Sequence, residues 1–198
     1  MNERYIRQTM IPEIGEAGQE KLKNAKVLIV GIGGLGSPIS LYLTAAGVGQ
    51  IGLIDDDIVS KSNLQRQILY TEAEIGQSKV ECACRRLSAL NSSTRFETYP
   101  NRFTPDNANR LVSAYDIIVD GCDNAATRYL IDDICSRFKK PYVYGPFRTF
   151  GDRFPSLITE ADLDTVIFIP APKLFPRLVP EELSALFQEL SAAWKPQK

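Results

Sequence analysis

The chain has 198 residues, 23 Lys and Arg against 24 Asp and Glu, and no histidine, a balance that gives no electrostatic reason for nucleic acid or an anionic membrane as partner. Without histidine, Ser-His and Cys-His catalysis and the commonest metal ligand are gone, and whatever chemistry occurs rests on Asp, Arg, Lys and backbone dipoles. The length suits one sizeable α/β domain.

The Met1-Asn2-Glu3-Arg4 start lacks a signal peptide's apolar core and no apolar run reaches a bilayer span, so a cytoplasmic protein is expected. Polar helical segments over 4–8 and 16–24 precede an apolar strand, Val27 to Val30, which runs directly into Gly31-Ile32-Gly33-Gly34-Leu35-Gly36-Ser37. Gly31, Gly33 and Gly36 fit G-x-G-x-x-G: a tight turn, close backbone approach to a phosphate, and close helix-strand packing. A crossover helix over 34–46 follows, then a strand over 51–54 ending in Asp55-Asp56-Asp57. Asp55 stands about twenty residues past the glycines, where a dinucleotide fold uses a carboxylate on ribose; a solvated acidic turn is the competing reading.

Ser60 to Gln67 is polar without periodicity, and Gly76-Gln77-Ser78-Lys79 opens a helix through Asn91 with Val80, Cys84, Leu87 and Leu90 on its apolar face. Strands over 95–99 and 116–120 flank a helix over 105–113 that Thr104 caps and Pro105 starts. Gly121-Cys122-Asp123-Asn124 then closes a strand, placing Asp123 at a ligand-binding edge or at the cap of a helix over 125–138; a strand over 142–144 ends the pattern. The alternation predicts an α/β fold, a doubly wound, Rossmann-like, mostly parallel sheet with helices on both faces. Cys82, Cys84, Cys122 and Cys135 contain no C-x-x-C pair and read as reduced, mostly buried thiols, with no zinc expected.

The glycine cluster, Asp55-x-Asp57, Ser62-Asn63-Leu64-Gln65-Arg66-Gln67, Gly76-Gln77-Ser78-Lys79 and Asp120-Gly121-Cys122-Asp123-Asn124, in this order and spacing, closely resemble the ThiF/MoeB/HesA family over roughly residues 4–145. These are ATP-dependent activators of ubiquitin-like sulfur-carrier proteins, related to the ubiquitin-activating enzymes. The resemblance implies adenylation of a carrier's C-terminal glycine, with ATP and Mg²⁺. It implies that Gly31, Gly33, Gly34 and Gly36 sit against the nucleotide and that Asp55 binds ribose. Asn63, Arg66 and Lys79 would hold phosphates, Asp123 would bind Mg²⁺, and Asp57, Ser62, Gln65 and Asn124 would line the nucleotide. Arg7 matches an arginine that reaches the neighbouring subunit's site, which implies a homodimer and a Gly-Gly-ending carrier as partners. For Arg66, Lys79 and Arg7, an ordinary solvated surface side chain is the alternative.

After Gly145 the resemblance stops: the family's Gly-Gln-Val strand, crossover-loop cysteine and Pro-Gly-x-x-Gly segment are missing. Because the first two bases of most codons are fixed by the residue, a shifted frame is visible in the protein itself. Codons compatible with Pro146 to Pro170, with one base restored ahead of them, regroup to AISDFWGQVSVFNYRGGLGYRDLYP; Val179 to Lys198 regroup to CAGRIVGAVPGVIGSMETAE. Both strings are family-like, and the second contains the cysteine. The expectation is a nucleotide-binding domain over 1–145 followed by an out-of-frame tail over 146–198, from a single-base deletion near codon 145 or 146. Leu183, Leu186, Phe187, Leu190 and Trp194 form a stripe that predicts a helix near 180–194 whether the tail is out of frame or a genuine short module. Two other readings stand beside adenylation: an inactive nucleotide-binding remnant, and an NAD-dependent oxidoreductase using the same glycine turn and Asp55.

Overall fold

The structure is a computed structural model that describes residues 3–144. The boundary at 145, the out-of-frame tail and the helix near 180–194 lie outside the described residues. Five strands form one parallel sheet: β1 (Lys26–Val30), β2 (Gln50–Ile54), β3 (Arg95–Tyr99), β4 (Ile117–Asp120) and β5 (Tyr142–Tyr144), in the order β3-β2-β1-β4-β5. The helices are α1 (Ile6–Thr9), α2 (Gly15–Asn24), α3 (Gly36–Ala46), α4 (Lys79–Leu90), α5 (Pro105–Ala114) and α6 (Ala125–Phe138). This is the doubly wound Rossmann-like arrangement expected from the alternation of strands and helices.

β1 lies at the centre because Val27-Leu28-Ile29-Val30 is apolar without alternation, which suits a strand buried on both faces. Successive side chains part to opposite sides. Val27 and Ile29 join Ile51, Leu53, Val80 and Leu87 in one core, while Leu28 and Val30 join Leu111, Val112, Ile131 and Ile134 in the other. Thr104 and Asn107 form a reciprocal capping box at the start of α5, with Pro105 in the first turn. α3 begins at Gly36 rather than Gly34, since Gly34 and Leu35 are spent in the turn before it.

Register then positions the site. Val30 of β1 stands level with Ile54 of β2 and with Asp120 of β4. Gly31, Asp55 and Gly121 therefore leave the sheet side by side at its carboxyl edge. The strand order reverses between β1 and β4, where open sheets of this type bind ligands.

Candidate nucleotide site

The turn after β1 is built by backbone contact that side chains would prevent. Gly31 has φ +88°, and a Cβ there would stand 2.9 Å from Cys122 N and Cα. A Cβ on Gly36 would lie 2.0 Å from the Gly31 carbonyl oxygen. The strand ends are also tied across the sheet: Gly31 N–H donates to Ile54 O at 2.8 Å and Gly121 N–H to Val30 O at 2.8 Å. The helix α3 that follows starts at Gly36, and its N-cap residue Leu35 has no side chain that can cap it. Of the helix's first residues, Ser37 N–H donates to Gly33 O at 3.0 Å, Ile39 N–H to Leu35 O at 3.3 Å and Pro38 has no N–H, so the positive end of the helix dipole, rather than a row of free donors, favours an anion at the turn. By contrast α6 is capped, with Asn124 Oδ1 accepting from Thr127 N–H at 2.8 Å.

Asp55 serves the backbone. Its Oδ2 accepts from Ile32 N–H at 2.7 Å and its Oδ1 from Asp57 N–H at 2.8 Å, so the carboxylate clamps the glycine turn to the end of β2. Each oxygen keeps a second lone pair, which leaves acceptor capacity for a hydroxyl. Asp57 holds Lys79: Nζ to Oδ2 is 2.7 Å, and Lys79 N–H donates to Asp57 O at 3.1 Å. The lysine is 3% exposed, not the solvated side chain of the alternative reading, while its aspartate is 67% exposed. Asp55, Asp56 and Asp57 place carboxylate oxygens within 4.8 Å of one another, but Asp55 is engaged by N–H groups, Asp57 by Lys79, and Asp56 stands 3.6 Å from Arg102. The cluster is internally spoken for.

The segment after β2 folds back over the turn. A short 3-10 turn, Lys61–Asn63, leads into it, and Asn63 O accepts from both Arg66 N–H at 3.1 Å and Gln67 N–H at 2.9 Å. Arg66 then crosses Gly34, its Nε 3.4 Å from where a Cβ would stand, with its side chain exposed. Gln67 is buried against Gly33, and the Tyr70 hydroxyl donates to Ile32 O at 2.7 Å. Ser62 and Gln65 are exposed, and the Ser62 hydroxyl pairs with that of Ser60 at 2.9 Å.

Across the cleft, Asp120 is buried and takes Cys122 N–H at 2.8 Å on Oδ1 and the Tyr142 hydroxyl at 3.1 Å on Oδ2, with Arg128 Nε 3.4 Å away. Arg128 also donates to Cys122 O at 2.8 Å. Both polar groups of the Cys122 peptide are thus held, and Asp123 follows with its side chain exposed at the sheet edge. Its hard oxygens, beside a turn suited to phosphate, fit Mg²⁺, which takes one or two carboxylates together with phosphate oxygens. The helix cap that Asp123 could have supplied is made by Asn124, whose Oδ1 is thereby committed to α6. Burial pushes the Cys122 thiol up to about 12, reinforced by Asp120, and burial does the same for Cys135; neither is a thiolate nucleophile at neutral pH.

Arg7 is not at this cleft. Its neighbours fix α1 to the far end of α3: Gln8 Nε2 donates to Ala46 O at 2.8 Å, and the Tyr5 ring fills the space where a Cβ on Gly47 would stand. The eleven residues of α3 separate that end from the glycine turn by about 16 Å. The structure therefore gathers the glycines, Asp55, Asp57, Asn63, Arg66, Lys79, Asp123 and Asn124 around one edge and leaves Arg7 outside it. Gln67, Tyr70, Asp120 and Arg128 are the residues that sequence reasoning missed. Gln67 and Asp120 stood inside the quoted runs, but nothing in their spacing signalled burial against the turn.

The ThiF family is matched over residues 5–156. The chain belongs to the ThiF family. It is 47% identical over 148 residues to the sulfur carrier protein adenylyltransferase of Thermus thermophilus, covering 75% of this chain and 55% of that one. It is 48% identical over 147 residues to the probable adenylyltransferase/sulfurtransferase MoeZ of Mycobacterium tuberculosis, covering 74% of this chain and 38% of MoeZ. The chain thus matches between about a third and about half of the length of such relatives. Among solved structures, the Escherichia coli tRNA N6-threonylcarbamoyladenosine dehydratase TcdA in complex with ATP superposes with a TM-score of 0.65 at 31% identity, over 69% of this chain and 56% of TcdA. E. coli MccB with ATP gives 0.64 at 33%, over 72% and 44%. Among the described residues no helix of this ThiF-family chain is long and apolar enough to cross a membrane.

Proposed function

We propose that this chain adenylates the C-terminal glycine of a ubiquitin-like sulfur-carrier protein ending in Gly-Gly. The glycine carboxylate attacks the α-phosphate of ATP, forming an acyl-adenylate and releasing pyrophosphate. That carboxylate is already ionised at neutral pH, so no general base is required, in keeping with a chain that has no histidine. The observation that carries the reading is the glycine turn at the carboxyl edge of the sheet, where Gly31 and Gly36 pack backbone on backbone and Arg66 lies over Gly34. The names of the relatives and the ATP complexes of TcdA and MccB support the same chemistry.

In this reading Gly31, Gly33, Gly34 and Gly36 present backbone to the nucleotide, the spare lone pairs of Asp55 take ribose, and Asn63, Arg66 and Lys79 hold the phosphates. Asp57, Ser62, Gln65 and Asn124 line the approach. Asp123 would hold a Mg²⁺ ion, which would neutralise charge on the phosphate oxygens. Arg7 serves the site of a second copy in a homodimer, because its own glycine turn is a helix length away. The nucleotide-binding domain ends near 145, and the tail beyond it is out of frame; sequencing of the coding DNA tests this, and codons that cannot be regrouped would sink it. Four free cysteines suit the reducing cytoplasm.

Pyrophosphate exchange with ATP, Mg²⁺ and a Gly-Gly-ending carrier tests the activity. Exchange is the expected result; ATP binding without exchange marks an inactive remnant, and a preference for NAD marks an oxidoreductase. Arg66→Ala is expected to lower exchange by about 10²- to 10³-fold with an unchanged melting temperature. Exchange at the wild-type rate in that variant would take Arg66 out of the site.

A further inference from the structure

Arg128 and Asp120 form an ion pair beside the sheet edge that carries Asp123, Nε 3.4 Å from Oδ2, with the aspartate side chain 1% and the arginine side chain 20% exposed. The Tyr142 hydroxyl also donates to Asp120 Oδ2 at 3.1 Å, so the carboxylate is held from β5 as well as from α6. Each member of the pair then takes one side of Cys122. Asp120 Oδ1 accepts from Cys122 N–H at 2.8 Å, and Arg128 Nη2 donates to Cys122 O at 2.8 Å. Those two groups belong to different peptide planes, the one before the Cys122 Cα and the one after it. With both planes held, the two dihedral angles between them are fixed and the Cα of Asp123 is set in place. On the other side Asn124 caps α6, its Oδ1 accepting from Thr127 N–H at 2.8 Å. Asp123 is thus pinned between an ion pair and a helix cap while its own side chain stays exposed.

A buried ion pair is a poor device for stability alone, because desolvation offsets much of its attraction and apolar residues of similar volume often hold a fold as well. What apolar residues lack is the two directed hydrogen bonds that this pair makes to one backbone residue. That residue precedes the carboxylate that would take Mg²⁺, an ion that demands near-ideal octahedral geometry and tolerates little drift in a ligand. We propose that Arg128, acting through Asp120 and the Cys122 backbone, is a positioning residue for Asp123, holding its carboxylate where Mg²⁺ bound with ATP can use it. The proposal rests on the reading of Asp123 as the Mg²⁺ ligand and names the residues that keep it in register.

Calorimetry of ATP binding to the full chain, in EDTA and across a Mg²⁺ titration, tests it. In Arg128→Lys a single ammonium keeps the charge beside Asp120 but has no second, separate donor to hold Cys122 O. The expected result is a roughly ten-fold rise in the Mg²⁺ concentration that half-saturates the Mg²⁺-dependent gain in ATP affinity, with ATP affinity in EDTA unchanged. Asp120→Asn, which keeps an oxygen for Cys122 N–H and loses the ionic hold on Arg128, is expected to shift the Mg²⁺ requirement the same way by less. An unchanged Mg²⁺ requirement in Arg128→Lys overturns the proposal; if that variant does not fold, an unchanged requirement in Asp120→Asn overturns it instead. So does a lowered melting temperature with equal losses of ATP affinity in EDTA and in Mg²⁺, which is the pattern of a purely structural pair. Asp123→Asn separates the proposal from the reading beneath it. That variant is expected to lose the Mg²⁺ effect, and a wild-type response to Mg²⁺ there would remove Asp123 as the ligand and the positioning role with it. A wild-type chain that binds no ATP refutes the ATP reading itself, and this role with it.

Discussion

Two polar clusters sit beside glycines of this sheet, and they are finished to different degrees. Next to Gly52, Tyr99 and Tyr115 donate to the same Glu97 oxygen at 2.7 and 3.2 Å, their hydroxyls stand 3.0 Å apart, and Gln50 Nε2 donates to the other oxygen at 3.0 Å. The Tyr115 hydroxyl occupies the space a Cβ on Gly52 would need. Beside Gly33 and Gly34, the Gln67 side-chain carbonyl and Ser37 hydroxyl oxygens are unpaired. A network that closes on itself serves the fold. One left open serves whatever completes it.

That contrast is tested most severely at the glycines. Gly36→Ala would bring a Cβ against the Gly31 backbone, which cannot yield, and is expected to cost about 4 kcal/mol or more, read as a collapse of the thermal transition. Gly34→Ala meets only the Arg66 side chain at 3.4 to 3.7 Å, so it is expected to keep the fold within about 1 kcal/mol while lowering ATP affinity. If the two behaved alike, the turn would not divide into a packed side and a ligand side. In the closed cluster, Tyr115→Phe is expected to cost about 1 kcal/mol in urea unfolding and to leave ATP affinity untouched. A change in ATP affinity there would break the separation of the two clusters.

The smallest effect is one of pH. The Tyr99 hydrogen bond, helped by Tyr115 and Arg95, holds Glu97 below the ordinary value of 4.5 against the opposing effect of burial. Its stabilisation is therefore present above that value and is lost as the pH falls through the lowered one. Urea titrations across the acid range should show the loss in the wild type and not in Glu97→Gln. Equal acid sensitivity in both would remove Glu97 from the account.

Much of this was legible in the sequence. The unbroken apolar run of β1, the Pro105 start of α5 and the glycine spacing each have one physical reading, and the parallel sheet follows from the alternation of strands and helices, though its strand order does not. Helix α6 and β5 fall on the residues expected of them. What was hidden depends on the chain meeting itself at long range. Asp55 reads as a ribose ligand because of its distance from the glycines, yet its oxygens first clamp the turn's backbone. Gln67 stands in a run with no periodicity, so only the fold-back of that segment over the turn reveals its burial. Asp120 looks like the last residue of a strand; its hold on Arg128 and Tyr142 depends on α6 and β5 arriving beside it.

The level stand of Val30 with Ile54 and with Asp120 joins contacts of very different separation along the chain. Asp55 reaches back only 23 residues to Ile32, a short loop that closes at modest entropic expense. The pairing of β1 with β4 closes a far longer one; at its other end the Lys26 N–H meets Asp116 across 90 residues. Loop-closure entropy thus favours the Asp55 half of the cleft over the Asp123 wall as the first to form, an order that pulse-labelling hydrogen exchange during refolding would check.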